Sequence, residues 1–394
     1  MRPVRLAPWQ WLVLLLLLYL VGAEALRLWL DLLWAERLAF LLAALGLWAF
    51  INGRFVFAYY HALLASARVR RLPLFSPKPK EHLLVLAPHP DDEVLAAAGL
   101  MRRVFGEGGR VSVVYLTSGD AFDLAAGSPM PSKEAMRRLA LRRMVEAWRG
   151  LEALGLPRES AIFLGFPDRG LFQLFTTHYY LPYESPYTGL RAAIYPGVYR
   201  PGLPYTGKAL EATLVELLKE LSARTLVLRH RVPKPGLWKG FSGAPTAAKA
   251  AVGYLKPTRV LLPSPLDAHR DHQATAYLGM QAAASLGLEG RLWYYIVHGG
   301  YQYPLPKGLH KGLPLYPPPR GRGLPWERFP LTQEEVDLKD KAIRAHRSQM
   351  RLLGRFLLAF VRQNELFSPL PVPAKEALAP EEEGWALLEG REVL

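Results

Sequence analysis

From residue 83 onward, short apolar runs alternate with amphipathic segments, and few folds accept that alternation. Leu83–Ala87, Arg110–Thr117, Ala161–Leu164 and Arg259–Leu262 read as short buried strands, with a further strand over 224–228. Helices are expected over 92–106, from a Ser132 cap to Leu154 with Gly155 as its stop, over 208–222, over 271–286, and late in the chain over 335–363. Leu141, Met144, Val145 and Trp148 share one face of the second of these. Strands alternating with helices bury best as an α/β fold, a mostly parallel sheet with helices on both faces.

In such sheets, ligands bind at the carboxyl ends of the strands. Four polar clusters fall at such ends: Pro88–Glu93, Thr117–Asp120, Pro167–Arg169 and Asp267–His272. The first offers a His and two Asp at a strand-to-helix turn, and the last offers His269 and His272 at the start of another helix. The chain has no Cys, so a disulfide scaffold, thiolate catalysis and Cys-ligated metals are excluded, and any metal must be held by His, Asp or Glu. Two His and one carboxylate, with one position left for water, make a catalytic zinc sphere. Using every candidate would close that sphere, so one His and one Asp are free for catalysis. Asp91 and Asp92 project about 100° apart at a helix start, and spacing leaves open which of them faces the metal.

These residues resemble the PIG-L (LmbE-like) family of zinc-dependent N-acetylglucosamine deacetylases. The family's AHPDDE motif stands here as Pro88-His89-Pro90-Asp91-Asp92-Glu93, and its HPDH motif as His269-Arg270-Asp271-His272. Weaker echoes are Thr117–Asp120, Arg143-x-x-Glu146, Pro167-Asp168, and Lys341-Ala-Ile followed by His346-x-Ser348-Gln349. The resemblance runs over residues 83–367 in motif order and implies a Rossmann-like deacetylase domain over 81–369. It implies His89, Asp92 and His272 as ligands of Zn2+, a set that would also accept Fe2+, cobalt or manganese. It further implies Asp91 as general base toward a zinc-bound water. His269 would stabilise the tetrahedral oxyanion and protonate the leaving amine, with Asp271 orienting His269. The reaction implied is hydrolysis of the N-acetyl group of an N-acetylglucosamine-type sugar.

The N-terminal fifth has a different character. Residues 6–23 are uncharged, and residues 38–67 contain one charged residue, Arg54. They read as two membrane spans, about 6–23 and 38–60, forming a transmembrane helical hairpin within an anchor over 1–71. The cluster Arg68, Arg70, Arg71, Lys78 and Lys80 then places both termini and the catalytic domain in the cytoplasm, with residues 24–37 near the outer face. A cleaved signal peptide ending near Ala23 is the competing reading of the first run. Of the net charge of +15, +7 lies in residues 1–80, flanking the apolar runs. That suits an anionic membrane surface, and no nucleic-acid motif accompanies the charge, so a nucleic-acid partner is excluded. An anchor makes a lipid-linked sugar the expected substrate. A soluble N-acetylglucosamine conjugate and, in another class, a membrane-tethered sugar-binding protein without turnover are the alternatives.

Three segments remain. Residues 72–80 (LPLFSPKPK) read as a linker, and 370–394 as an irregular tail. Residues 172–205 hold nine Phe or Tyr, either an excursion packed by its own aromatics or a lip over the site; 229–256 is an insertion. Histidines 61, 82, 178, 230, 298, 310 and 346 read as ordinary surface or core residues.

Overall fold

The computed structural model describes residues 13–14, 16–22, 25, 34–127, 130–222, 257–300 and 303–374. The expected strand at 224–228, the insertion 229–256 with His230, and most of the tail lie outside these residues. The chain divides into two compact units, Met1–Ala67 and Arg68–Leu394.

In the first unit, the membrane reading is overturned. Among the described residues no helix is long and apolar enough to cross a membrane. Part of the first expected span, 6–23, lies outside the described residues. The second, 38–60, falls within helix α1 (Trp34–Arg70). There Asn52, Gly53 and Arg54 end an apolar run of fourteen residues from Leu38. At about 1.5 Å per residue that run is about 21 Å of helix, short of a hydrocarbon core of about 30 Å. The transmembrane hairpin, the two-span membrane localisation and the cytoplasmic topology drawn from it are therefore withdrawn.

Among the described residues, the second unit is built on five parallel strands. These are β1 (His82–Ala87), β2 (Arg110–Thr117), β3 (Ala161–Phe166), β4 (Arg259–Pro263) and β5 (Leu292–Tyr295), in the spatial order β3-β2-β1-β4-β5. Val, Leu, Ile and Phe dominate them, and β1, β3 and β4 are buried throughout, as strands covered on both faces must be. The chain walks outward from β1 to β3, then returns to lay β4 on the other side of β1. That reversal is a topological switch point, and a crevice opens there at the carboxyl ends of β1 and β4. Crossovers of one hand run in opposite directions on the two sides of β1, so their helices cover opposite faces.

The helices of this unit are α2 (Asp92–Gly106), α3 (Lys133–Ala153), α4 (Leu171–Phe175), α5 (Gly207–Ser222), α6 (Arg270–Ala284), α7 (Gln333–Ala345) and α8 (Arg347–Leu357). Ser132 caps α3 by accepting from the Ala135 N–H at 3.2 Å. Helix α7 packs on both α2 and α3, while α4, α5 and α6 pack on one another. The expected late helix over 335–363 is two helices, separated where His346 leaves helical geometry (φ −78°, ψ 62°). An antiparallel pair, β6 (Glu327–Pro330) with β7 (Asn364–Phe367), completes the unit. The proline-rich segment at 72–80 docks on it. Phe75 donates its N–H to Arg328 O at 2.9 Å and buries its ring against Trp293, Phe329 and Phe367. Within 172–205, Tyr195 and Tyr205 are buried and Tyr205 donates to Gly165 O at 3.0 Å, so aromatics hold this excursion to the sheet.

Candidate metal centre

The turn leaving β1 is held in an unusual backbone conformation. Asp91 has φ 134° and ψ −26°, where side chains are rarely found. Such a residue persists only where its surroundings over-determine it, and here they do. The His89 N–H donates to Asp92 Oδ2 (2.9 Å) and the Asp91 N–H to Glu93 Oε2 (3.0 Å). From α3, the buried Arg143 donates to Pro90 O (2.8 Å), Gly119 O (3.2 Å) and Asp91 Oδ2 (3.3 Å). One guanidinium thus ties the turns after β1 and β2 together.

The turn leaving β4 is organised by Asp267, which is fully buried. Its Oδ1 accepts from the His269 N–H (2.9 Å), and its Oδ2 accepts from the N–H groups of Val297 and His298 (2.9 Å each). The same Oδ2 lies 3.2 Å from His272 Nδ1. The other nitrogen of His272, Nε2, lies 3.2 Å from Asp92 Oδ2, and that oxygen is 3.1 Å from His89 Nδ1. The three residues expected as ligands, from two motifs about 180 positions apart, meet on one carboxylate oxygen.

Each of the two histidines has a carboxylate behind the nitrogen that does not face Asp92. For His272 it is Asp267. For His89 Nε2 it is Asp168 Oδ1 at 3.2 Å and Asp271 Oδ2 at 3.3 Å. Metal-bound histidines are backed this way, which fixes tautomer and ring orientation. Neither ring nitrogen of His272 makes an aligned hydrogen bond, though the side chain is fully buried. Neighbouring donors around an ion with bonds of about 2.1 Å stand about 3.4 Å apart in a tetrahedron. The 3.1 and 3.2 Å separations around Asp92 Oδ2 are close to that spacing.

The electrostatics also fit a cation. Burial opposes a charge on His272, but Asp267 and Asp92 outweigh it and push the imidazole up to about 10. Burial likewise works against the Asp92 carboxylate, yet His272 and His89 hold it well below the usual carboxylate range. Positive charge is therefore favoured between these groups. Asp91 goes the other way: burial, opposed by Arg143 and aided by Asp92, pushes it up to about 7. Burial and the neighbouring His89 and His272 push His269 down to about 3.

His269 is half-buried beside the three, its ring centroid 4.8 Å from that of His89 and 5.3 Å from that of His272. Its Nδ1 accepts the Asp271 N–H at 3.2 Å, so the proton of the neutral ring sits on Nε2. The orienting role expected of the Asp271 side chain is not what this geometry provides. That carboxylate accepts from the Arg169 N–H (2.6 Å) and the Leu171 N–H (3.1 Å) and backs His89; it is the backbone of Asp271 that holds His269.

Further polar groups gather here. Asp168 accepts from the Ala121 N–H (3.1 Å), and Asp120 accepts from the Asp168 N–H (3.0 Å) and from Tyr195 Oη (2.6 Å). His298, set aside in the sequence, stands with its ring 4.8 Å from His272 and 5.3 Å from His269, stacked on Phe356. It follows β5 as the other clusters follow their strands, and that placement was the available signal. Of the weaker motif residues, Lys341 is exposed, while Lys339, two positions earlier, is fully buried. Among the described residues, three overlapping triplets bring ligand atoms within 4.8 Å of one another: His89–His269–His272, Asp92–His272–His298 and His89–Asp168–Asp271.

Comparison with solved structures finds the antimicrobial reagent A40926 pseudoaglycone deacetylase Dbv21, at 18% identity over 76% of this chain and 100% of that chain (TM-score 0.43). It also finds N,N'-diacetylchitobiose deacetylase from Pyrococcus horikoshii, at 18% identity over 81% and 97% (TM-score 0.43). A third is the conserved protein TT1542 from Thermus thermophilus, at 20% identity over 75% and 98% (TM-score 0.38). No curated protein matches the sequence. Residues 84–235, which hold His89–Glu93, Asp120, Arg143 and Asp168 but end before His269, match the family described as PIG-L: GlcNAc-PI de-N-acetylase.

Proposed function

We propose that the chain is a metal-dependent N-deacetylase that removes the acetyl group from an N-acetylglucosamine-type conjugate. The observation that carries this reading is the meeting of His89 Nδ1 and His272 Nε2 on Asp92 Oδ2, each ring backed by a carboxylate. In this reading His89, Asp92 and His272 hold the ion, with Zn2+ the first choice and Fe2+ also accepted by such a donor set. A bound divalent ion supplies Lewis acidity and makes water a nucleophile near neutral pH.

The chain's own residues do the rest. Asp91, buried and pushed up to about 7, takes the proton from the attacking water as general base. Arg143 holds the Asp91 carboxylate in position. Neutral His269 donates its Nε2–H to the oxygen that becomes negative when the amide carbonyl is attacked. The proton gained by Asp91 is then available to the departing amine.

The family description supports the sugar class and, in its GlcNAc-PI wording, a lipid-linked aglycone. Purified protein loaded with Zn2+ should release acetate from N-acetylglucosamine conjugates. Chelation should abolish the release and added Zn2+ restore it. A lipid-linked and a soluble conjugate assayed side by side test the aglycone. Absence of acetate from every such conjugate would overturn the reading.

A further inference from the structure

Helix α2 is not one helix. At Ala97 the backbone leaves helical geometry (φ −140°, ψ 22°). The piece before the break is a single turn, and it carries Asp92 and starts from Asp91. In an unbroken helix the Gly99 N–H would donate to Leu95 O, four residues back, and the Leu100 N–H to Ala96 O. The described contacts are different. The Gly99 N–H donates to Glu365 Oε1 (2.9 Å) and the Leu100 N–H to Glu365 Oε2 (3.0 Å). Lys339 Nζ donates to Leu95 O (2.8 Å) and to Glu365 Oε1 (2.8 Å). Both side chains are fully buried.

We infer that Lys339 and Glu365 are positioning residues for the metal centre, inserted as a pair into the break in α2 so that the turn bearing Asp91 and Asp92 is held at an angle of its own. A buried ion pair is rarely a net gain in stability over apolar side chains, which calls for another reason for this one. Its hydrogen bonds supply the reason. Apart from the bond within the pair, those found among the described residues go to three backbone groups that the break sets free. Lys339 comes from α7 and Glu365 from β7, so two elements remote in sequence fix the turn from behind. The turn ends in the strained Asp91, and its Asp92 must lie within 3.2 Å of rings on both motifs. A continuous helix would tie the direction of that turn to the axis of the following ten residues. The broken one lets the turn aim separately.

This inference rests on the metal site proposed above, and the test separates the two. The probe is Co2+, titrated into the metal-free full-length chain, read by affinity and by its visible absorption bands. Glu365→Gln keeps the side-chain shape and one acceptor; Lys339→Met removes the cation. Glu81→Gln is the control, because Glu81 forms a buried ion pair with Arg259 (2.6 Å) before the start of β1, at the opposite end of the strand from His89. Both test variants should weaken Co2+ binding by about 10- to 100-fold, the usual effect of losing support behind a ligand, and alter the absorption bands. Glu81→Gln should lower Tm and leave both readouts unchanged. Wild-type affinity and spectrum in Glu365→Gln and Lys339→Met would overturn the inference.

A measurement on the unaltered protein covers the case of variants that do not fold. Coupling is reciprocal, so Co2+ should slow amide exchange in the peptide containing Gly99 and Leu100 more than in β2. Equal slowing in the two would also overturn it. A wild-type chain that takes up no Co2+ would sink the metal site itself, and this inference with it.

Discussion

Asp267 stands behind His272, its Oδ2 3.2 Å from Nδ1, while the opposite ring nitrogen faces Asp92 at the same distance. The same carboxylate takes three backbone N–H groups, so the ring is braced by an anion that is itself braced. Asp267→Asn keeps the size but removes the charge. It should weaken Zn2+ binding by about 10- to 100-fold, with kcat at saturating Zn2+ changing less. Titration with a competing chelator, run beside steady-state kinetics, reads both.

Removing a ligand should be more drastic. His89→Ala, Asp92→Ala and His272→Ala should each lose metal and activity together. His269→Ala should keep stoichiometric metal and lose turnover, because its Nε2–H is assigned to the oxyanion. Metal content by elemental analysis of the four purified variants decides this, and retention in His272→Ala with loss in His269→Ala would exchange the two roles.

Asp91→Asn should retain both metal and substrate binding. Its kcat should fall by about 10² to 10⁴, the usual contribution of a positioned base, with KM little changed. Loss of metal in Asp91→Asn with retention in Asp92→Asn would reverse the assignment of the two carboxylates.

The base must be ionised to act. Asp91 stands at about 7 because of burial, with Arg143 opposing, and a cation bound beside it draws this value downward. Activity should therefore fall as pH drops through an inflection at or below about 7, since protonation removes the acceptor. The acid limb of the kcat profile should vanish in Asp91→Asn. A limb with the same inflection in that variant would assign it to another group.

Phe75 offers a prediction about stability alone. Its ring packs on Trp293, Phe329 and Phe367, with the Arg259 guanidinium 4.0 Å from its centroid. Phe75→Ala should cost about 3–5 kcal/mol in denaturant unfolding of the metal-free protein. Affinity for Zn2+ should be unchanged, because Trp293, Phe329, Phe367 and Arg259 are not among the residues gathered at the metal centre.

What could be read from the sequence was local. The strands and the bounds of α2 follow from apolar runs between turn residues, and the His and Asp groups at strand ends followed from the logic of parallel sheets. What was missed depended on partners far away in the chain. In Leu95–Leu100, Gly99 is the one weak helix former and does not by itself place a break at Ala97, whose freed groups are taken up by Lys339 and Glu365 from far along the chain. His298 carries no motif, and its place beside His269 and His272 comes from β5 lying next to β4. The membrane reading failed because run length was counted across Asn52 and Arg54.

The strand order has one more consequence, for the order in which the molecule assembles. β1, β2 and β3 are consecutive in the chain and can pair early, whereas β4 reaches β1 only after about 170 intervening residues have been gathered in. His89 and Asp92 belong to the early half of the crevice and His272 to the late half. A nascent chain that has made only the first three strands holds two of the three proposed ligands and should grip an ion poorly. Closing the seam between β1 and β4 completes the set, and the ion then bonds across the slowest junction to form. Metal uptake during refolding should therefore report the arrival of β4, and the metal should slow the parting of that junction in the finished protein.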